Sequence, residues 1–186
     1  MRYLLTGDTP PFTRVLLIES GSRELMEGFL PPFLKRFGPE IAVDLVTCYA
    51  GAPRGFCEEQ GRIYRVTDYA GGAARQRLYE ELGANGYTIL GMLCSAEPIM
   101  TKWKWAIALH LPVKVLVINE NLDYFFVDHT NRGIILHFLL FRAGLTGAGA
   151  VTTLARLAAF PFNVLYLLLF AAAVHLRRAL VRAGNH

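Results

Sequence analysis

Residues 14–19 read RVLLIE, and this short run decides the fold class. A continuous aliphatic run of this length is typical of a strand in a parallel sheet that is covered on both faces. Similar runs predict further strands at 41–47, 63–66, 87–94 and 113–118. Because helical stretches separate these strands, the sequence predicts an α/β fold, with a Rossmann-like, doubly wound parallel sheet of about five strands.

Three helical stretches are predicted between the strands, at 23–37, 73–82 and 95–109. Pro31 and Pro32 lie inside the first of them. Since a proline inside a helix costs about 3 kcal/mol, we expect a short helical turn there, followed by a second helix that begins near Pro31. After the fifth strand, residues 119–129 are expected to form a loop.

The acidic residues divide the chain into two parts, because all 15 of them lie at or before Asp128. Residues 1–128 carry 13 Lys and Arg and a net charge of −2. Residues 129–186 carry a net charge of +6, which brings the total to +4. The basic character of the tail favours contact with anionic lipid headgroups over binding of nucleic acid by the globular part. We expect three parts: a leader at 1–13, a Rossmann-like domain at 14–131 and an Arg-flanked apolar membrane segment at 132–186.

The centre of the membrane segment is an apolar helix predicted at about 157–176. Residues 157–174 (LAAFPFNVLYLLLFAAAV) contain no charged side chain. A helix of 18–20 residues rises about 27–30 Å, which is enough for one hydrocarbon core. The candidate membrane-contacting residues are Trp103, Arg156, Phe160, Phe162, Tyr166, Arg177 and Arg178.

Several placements of this apolar segment are open. With the globular part in the cytoplasm, a single span would put the Arg-rich end outside, against the positive-inside tendency. The segment can instead be re-entrant, with a break near Pro161, or residues 133–150 can form the first arm of a helical hairpin. A buried core helix is disfavoured because the run is long and apolar nearly all round. The start of the chain does not resemble a secretory signal, so we expect a membrane-associated protein of the bacterial inner membrane whose globular part is cytoplasmic.

Ligands of doubly wound sheets bind beyond the carboxyl ends of the strands, where the strand order reverses. The predicted loops at this edge are 19–22, 94–98 and 119–123, and each contains a carboxylate. If the first and fourth strands are neighbours, Glu19 and Glu97 can face each other and do acid–base chemistry as the candidate catalytic residues. The alternative is that each is an acid at a helix start or a solvated loop residue.

An anion site is a second expectation for the same edge. Ser95 can cap the helix predicted to follow it, and Lys102 lies about two turns into that helix, so a phosphate can bind there. The alternative is a purely structural cap with a surface lysine. The candidate substrate-binding residues are Ser20, Gly21, Ser95, Lys102, Asn119 and Glu120. The chain has neither a G-x-G-x-x-G nor a G-x-x-x-x-G-K-[ST] motif, which argues against dinucleotide dehydrogenases and P-loop enzymes.

No metal or cofactor is expected. Asp123, Asp128 and His129 offer metal-binding side chains, but their spacing matches no metal template, and a solvated loop is the better interpretation. The three cysteines show no CxxC spacing, which favours reduced thiols in a cytosolic setting.

Residues 102–105 read KWKW, an unusual run on a helix. Helical residues two apart point nearly opposite ways, so Trp103 and Trp105 cannot both enter one core. One tryptophan is expected to pack on the sheet, while the other lies at a ligand, partner or membrane interface. Stacking on nucleic acid is the weakest alternative, since the globular part is net acidic.

Two stretches resemble a known family. Residues 14–47 (RVLLIESGSRELMEGFLPPFLKRFGPEIAVDLVT) and 78–98 (LYEELGANGYTILGMLCSAEP) are similar to the acceptor-side N-terminal half of GT-B glycosyltransferases, notably the ADP-heptose:lipopolysaccharide heptosyltransferases. The family's first loop carries Gly-Asp where this chain has residues 19–22 (ESGS), and the family's Tyr-Asp entry to strand four is Tyr-Thr here. The likeness covers little more than half of the chain.

The resemblance implies a glycosyltransferase-like half domain that binds a lipid-linked or envelope-glycan acceptor. The donor-nucleotide half of such enzymes is not found in these residues, so the resemblance further implies a separate donor-binding subunit, as in eukaryotic split GT-B enzymes. Membrane lipid and a lipid-linked sugar acceptor are the other expected partners. Two alternatives are a non-catalytic membrane scaffold for envelope glycan synthesis and a monotopic enzyme that acts alone on a lipid phosphate.

Overall fold

Strands and helices alternate along the globular part of the chain in a computed structural model that describes residues 6–147 and 149–183, without the side chains of residues 149 and 176–183. The strands are β1 (Arg14–Ile18), β2 (Ala42–Thr47), β3 (Ile63–Arg65), β4 (Ile89–Leu93), β5 (Lys114–Ile118) and β6 (Tyr124–Phe126). The helices are α1 (Arg23–Phe37), α2 (Gly72–Ala84), α3 (Thr101–His110), α4 (Arg132–Arg142) and α5 (Gly149–Ala183), and a 3-10 turn covers Val66–Tyr69.

The six strands form one sheet in the order β3-β2-β1-β4-β5-β6. The first five are parallel: Ile18 pairs with Val46 of β2 on one side and with Met92 of β4 on the other. β6 runs antiparallel to β5. The predicted α/β class, the Rossmann-like sheet and the reversal of strand order beside β1 are confirmed.

Alternating side chains of the central strands supply two apolar layers. Val15 and Leu17 point to the layer that contains Phe29 and Phe33 of α1. Because right-handed crossovers that run in opposite directions from β1 place their helices on opposite faces, α2 and α3 cover the other face of the sheet. The strands are therefore buried on both faces, which explains why their sequences are continuously aliphatic.

α1 is one continuous helix, so the predicted break at Pro31 is wrong. Both prolines lie inside the helix, and the residues on either side of them, Phe29, Leu30 and Phe33, are almost fully buried. Burial of each such side chain stabilises the fold by about 1.5–3 kcal/mol. Packing of one helical face against the sheet thus offsets the cost of the two prolines.

β6 was not predicted, since residues 119–129 were expected to form a loop. The strand has three residues and is reached through a tight turn in which Leu122 adopts a left-handed conformation, with φ of 65°. Phe126 of this strand pairs with Leu116 and packs against the core. A strand this short gives too few residues for an alternating pattern to be recognised.

The segment before β1 has no regular secondary structure from residue 6 onward, but it packs on the sheet domain. The ring of Phe12 stacks on that of Phe37, with centroids 4.1 Å apart. The backbone carbonyl of Thr6 accepts a hydrogen bond from the buried Lys114 ammonium. Residues 6–13 therefore contribute to the globular unit.

The chain divides into two compact units at Ile135 and Leu136. In the second unit, glycines at 144 and 147, both with positive φ, form the turn that precedes α5. α5 is continuous from Gly149 to Ala183, so the break near Pro161 that a re-entrant segment requires is wrong. In the part of the chain that the structure describes, residues 150–175 form the one helix long and apolar enough to cross a membrane.

Candidate functional site

An ion pair between Glu19 and Arg23 lies at the carboxyl end of β1. Glu19 is fully buried, and its carboxylate accepts hydrogen bonds from Arg23 Nε at 3.1 Å and from Thr47 Oγ1 at 2.5 Å. Arg23 also donates to the carbonyl of Ala50 at 2.7 Å, and its guanidinium lies 5.0 Å from the ring centroid of Tyr49. The hydrogen bond with Glu19 raises the pKa of Arg23 above its ordinary value. Glu19 thus ties the end of β1 to α1 and to the end of β2, and Arg23 adds a contact with the loop after β2.

Ser20 joins β1 to β4 through one carbonyl. Its Oγ donates to the oxygen of Leu93 at 2.6 Å, and Lys104 Nζ donates to the same oxygen at 3.0 Å. Ser20 is fully buried, and Lys104 is only 5% exposed. No carboxylate of the described residues pairs with Lys104 within 4 Å. Neither the burial of Lys104 nor a site role for it was predicted, since only Lys102 was a candidate for binding an anion.

The loops after β1 and β4 touch each other directly. Glu97 Oε2 accepts a hydrogen bond from the backbone N–H of Ser22 at 2.6 Å and another from Ser95 Oγ at 3.2 Å. A Cβ added to Gly21 would lie 2.8 Å from Ser95 Oγ, so an alanine at this position would force the Ser95 side chain to move. The structure therefore brings together Ser20, Gly21, Ser95 and Glu97, as expected for neighbouring strands.

The predicted helix start at Ser95 is wrong. α3 begins at Thr101, six residues later, and its N-cap position is Met100, in a left-handed conformation and without a side-chain cap. Ser95 instead lies in the loop, where its hydroxyl binds Glu97. The helix-start anion site expected at Ser95 is wrong for the same reason, and Lys102 lies in the first turn of α3 instead of two turns into it.

Lys102 and Trp103 line an open groove between the starts of α2 and α3. This α2–α3 groove has a volume of about 320 Å³. The residues that define it are Tyr69, Gly71, Arg75, Tyr79, Lys102 and Trp103. Since both helices follow parallel strands, their starts lie at the carboxyl edge of the sheet, where ligands of this fold class bind.

The two tryptophans of α3 face different surroundings, as predicted. Trp103 is half-buried and meets Tyr79 edge-on, with ring centroids 6.5 Å apart. Trp105 is 50% exposed, and Leu109, one turn further along the same face, is 79% exposed. The expectation that both tryptophans cannot enter one core is confirmed, and Trp105 is the one that faces outward.

Asn119 organises the turn between β5 and β6. Its Oδ1 accepts hydrogen bonds from the backbone N–H groups of Asn121 and Asp123, both at 2.9 Å. This acceptor is therefore engaged by its own turn. Glu120 is exposed at the tip of the same turn. Asn119 and Glu120, both candidate substrate-binding residues, therefore lie in the turn between β5 and β6. The recorded hydrogen bonds between the loops after β1 and β4 do not include them.

Asp128 belongs to a buried ion pair. It is 4% exposed and lies 2.9 Å from Nζ of Lys114, which is fully buried. Burial alone would raise the pKa of Asp128, but hydrogen bonds from Lys114 and Asn131 outweigh it and lower the pKa below its ordinary value. Within residues 6–147 and 149–183, no three His, Cys, Asp or Glu side chains come together as a metal site.

The thiol of Cys48 is a poor nucleophile. Cys48 follows β2 beside the ion pair of Glu19 and Arg23, and burial raises the pKa of its thiol. The thiolate, which is the reactive form, is thereby disfavoured. Cys57 is exposed and Cys94 is buried, and none of the three forms a disulfide.

The candidate membrane residues of α5 are exposed along the helix. Phe160, Phe162 and Tyr166 are 66%, 70% and 66% exposed, and Arg156 is exposed as well. None of the most apolar window of this helix is buried, which argues against a core helix. The side chains of Arg177 and Arg178 lie outside the described part of the structure.

The chain matches no protein-family model, no curated protein and no solved structure.

Proposed function

We propose that the chain is a membrane-attached, glycosyltransferase-like half domain that binds a lipid-linked sugar acceptor and acts with a separate donor-binding subunit. One observation carries the proposal: a Rossmann-like sheet with a switch point between β1 and β4 shares its chain with a long apolar helix. Ligands of such sheets bind at the switch point. An acceptor with a polar head and a long apolar tail requires a polar site and a lipid-soluble surface on one protein.

Glu97 is the group that we assign as the general base. Both of its hydrogen bonds, from Ser22 and Ser95, go to Oε2, and among the described residues Oε1 makes none. A fixed carboxylate with one unengaged oxygen can take the proton of an acceptor hydroxyl. Glu19 is unsuited to this step because Arg23 and Thr47 occupy its carboxylate inside the protein.

The proposal places the globular unit on the cytoplasmic face of a bacterial inner membrane. The three cysteines are free thiols, which fits a reducing compartment. α5 contains arginines but no acidic residue, which suits an anionic membrane surface.

The test is affinity purification of the full-length chain in mild detergent, followed by mass spectrometry of the bound proteins and lipids. We expect a donor-binding glycosyltransferase subunit and a polyprenyl-phosphate-linked sugar. A preparation that repeatedly contains neither would contradict the proposal.

The role of Glu97 can be tested on the same preparation. Transfer of radiolabelled sugar into the lipid fraction should fall about 100-fold or more in Glu97→Gln, because general base catalysis contributes roughly that much. The thermal midpoint should stay close to that of the parent protein. Glu58→Gln, in an exposed loop, is the matched control and should transfer normally. Full activity of Glu97→Gln would remove Glu97 from the mechanism.

A non-catalytic scaffold is the second candidate, and a specific observation favours it. Ser20 and Gly21 are buried, and the β1 and β4 loops are packed so closely that a methyl group at Gly21 would displace the Ser95 hydroxyl. The exposed Trp105 on α3 offers a surface for another protein. In that case Glu97→Gln is silent, whereas Trp105→Glu lowers the recovery of bound proteins.

A further inference from the structure

The α2–α3 groove has the size of a small-molecule site. Its volume of about 320 Å³ lies at the lower end of the range of roughly 300–1,000 Å³ that is typical of ligand pockets. Because α2 and α3 cover the face of the sheet opposite α1, the groove lies on that face. Neither Glu97 nor Glu19 lines it.

The charge of the groove is positive. Arg75 and Lys102 line it, and its described lining contains no carboxylate. Arg75 uses only Nε within the protein, to bind the carbonyl of Gly71 at 3.3 Å. In the described part of the chain, Lys102 makes no hydrogen bond or ion pair. Both cations can therefore bind an anion without breaking an internal contact.

The backbone adds to the positive electrostatic potential that the two cations create in the groove. Gly71 and Met100 are the N-cap residues of α2 and α3, and neither makes a side-chain cap hydrogen bond. Neither helix has an acidic residue in its first turn. The first N–H groups of both helices lack side-chain caps, and the positive ends of both helix dipoles lie beside the two cations.

The walls of the groove are aromatic and fixed. Tyr79 stacks on His110, with centroids 4.1 Å apart, and meets Trp103 edge-on. Tyr69 donates its hydroxyl to Glu81 at 3.0 Å. Burial, together with that hydrogen bond, raises the pKa of Tyr69 to about 12, so this ring adds no negative charge to the groove at neutral pH. Rigid aromatic faces suit the stacking of a planar base or of the apolar face of a sugar.

A second groove helps to decide which ligand chemistry fits best. It has a volume of about 460 Å³ and lies along α1, with Phe29 and Phe33 in its lining and Lys35 and Arg36 beside them. Those two cations belong to the last turn of α1, where they offset the negative end of the helix dipole. The α2–α3 groove has the opposite arrangement, since its cations reinforce positive helix ends.

We propose that the α2–α3 groove binds a phosphate ester of a ring compound, with the phosphate between Arg75 and Lys102 and the ring against Trp103. The inference rests on the proposed function only for the source of the ligand, which is either the phosphate-linked sugar of a lipid acceptor or a sugar nucleotide. Binding itself requires neither a partner subunit nor sugar transfer.

The test is a fluorescence titration of the full-length Trp105→Phe protein in mild detergent, in which Trp103 is the remaining tryptophan. The probes are glucose 1-phosphate, UMP, inorganic phosphate and glucose. Saturable binding of glucose 1-phosphate in preference to the other three supports the inference with the lipid-linked source. Tighter binding of UMP supports it with the nucleotide source.

Two results overturn the inference. One is the absence of saturable binding for both phosphorylated rings. The other is an equal affinity for inorganic phosphate, which would show that the ring contributes nothing. If transfer by the purified complex persists in either case, the proposed function survives without this groove.

The cation requirement has a matched control on the same helix. Arg75→Gln combined with Lys102→Gln should weaken binding roughly tenfold or more, since each replaces a charge-assisted contact with a neutral one. Arg77→Gln removes one positive charge from an exposed position of α2 outside the groove, and it should leave affinity unchanged, whereas Arg75→Gln alone should weaken binding. If both single variants lose the same affinity for the probe, nonspecific electrostatic attraction to the protein surface, and not binding in the groove, accounts for the affinity.

Discussion

Leu17 of β1 and Leu116 of β5 have no exposed surface, whereas Leu165, Leu167 and Leu168 of α5 are 54–63% exposed. The same residue type is thus solvated by protein in one unit and by its surroundings in the other. Each square ångström of apolar surface removed from water stabilises a structure by about 25 cal/mol. The exposed leucines of α5 therefore belong to an apolar surface on a helix that is long enough to cross a membrane.

The number and pairing of charged residues also differ between the globular unit and α5. In the globular unit, Glu19, Asp44 and Lys114 are fully buried and each takes part in an ion pair. Between Ala150 and His175 of α5, Arg156 is the one Asp, Glu, Lys or Arg residue. Buried charge in the globular unit thus has a counter-charge or, for Lys104, a backbone carbonyl that accepts its hydrogen bond, whereas residues 157–175 of α5 contain no Asp, Glu, Lys or Arg.

The largest expected effect comes from placing charge in α5. Phe162→Asp combined with Leu165→Asp near its middle should cost about 5–7 kcal/mol of membrane insertion, from about 2.5–3.5 kcal/mol for each charge. The measurement is the fraction of full-length protein that stays with carbonate-washed membranes, which should fall from nearly all to little.

The matched control for this variant keeps both positions apolar, with Phe162→Leu and Leu165→Ile. It should remain in the membrane fraction. Recovery of the wild-type chain in the soluble fraction would show that α5 is covered by protein instead of lipid.

A smaller effect is expected from uncoupling the buried ion pair of Asp128. Asp128→Asn leaves the Lys114 ammonium buried without a counter-charge, which typically destabilises a fold by about 3–5 kcal/mol. Urea unfolding of the full-length protein in detergent, followed by tryptophan fluorescence, measures the loss. Asp8→Asn changes an exposed carboxylate and should stay within about 0.5 kcal/mol of the parent.

The ion pair of Asp128 and Lys114 also predicts how the stability of the fold changes at low pH. The pKa of Asp128 is lowered in the folded state. Its contribution to folding stability is therefore complete above the pKa of the unfolded state, about 3.9, and is lost as the pH falls through the pKa of the folded state. Below about pH 4 the parent should lose stability more steeply than Asp128→Asn. Parallel pH profiles for the two proteins would contradict this assignment.

The aliphatic strands could be predicted from the sequence because their burial on both faces leaves a direct composition signal. The continuous helix through Pro31 could not, since local propensity argues against it and the stabilising contacts come from residues distant in sequence. The start of α3 was misplaced because Ser95 is as suitable for a loop hydrogen bond as for a cap.

The buried Lys104 illustrates a signal that was present. Lys104, Ile107, Ala108 and Leu111 follow the i, i+3, i+4, i+7 spacing of one helix face, and all four are buried. The charge of lysine obscured its place in that stripe. The contacts of Glu97 depended instead on how closely two loops approach, which no local pattern encodes.

The smallest expected effects concern two glycines of the globular unit. Gly21→Ala should destabilise the protein by about 0.5–1.5 kcal/mol, because its methyl group would displace Ser95 Oγ and break the hydrogen bond that this hydroxyl donates to Glu97. Gly83→Ala is the matched control inside α2, where a Cβ meets nothing within 4 Å, and it should stabilise the protein by about 0.5–1 kcal/mol. Urea midpoints of the two variants provide the comparison. If Gly21→Ala is as stable as Gly83→Ala, the space beside Gly21 accepts a methyl group without the loss of the Ser95–Glu97 hydrogen bond, and the close contact of the loops after β1 and β4 at this point is contradicted.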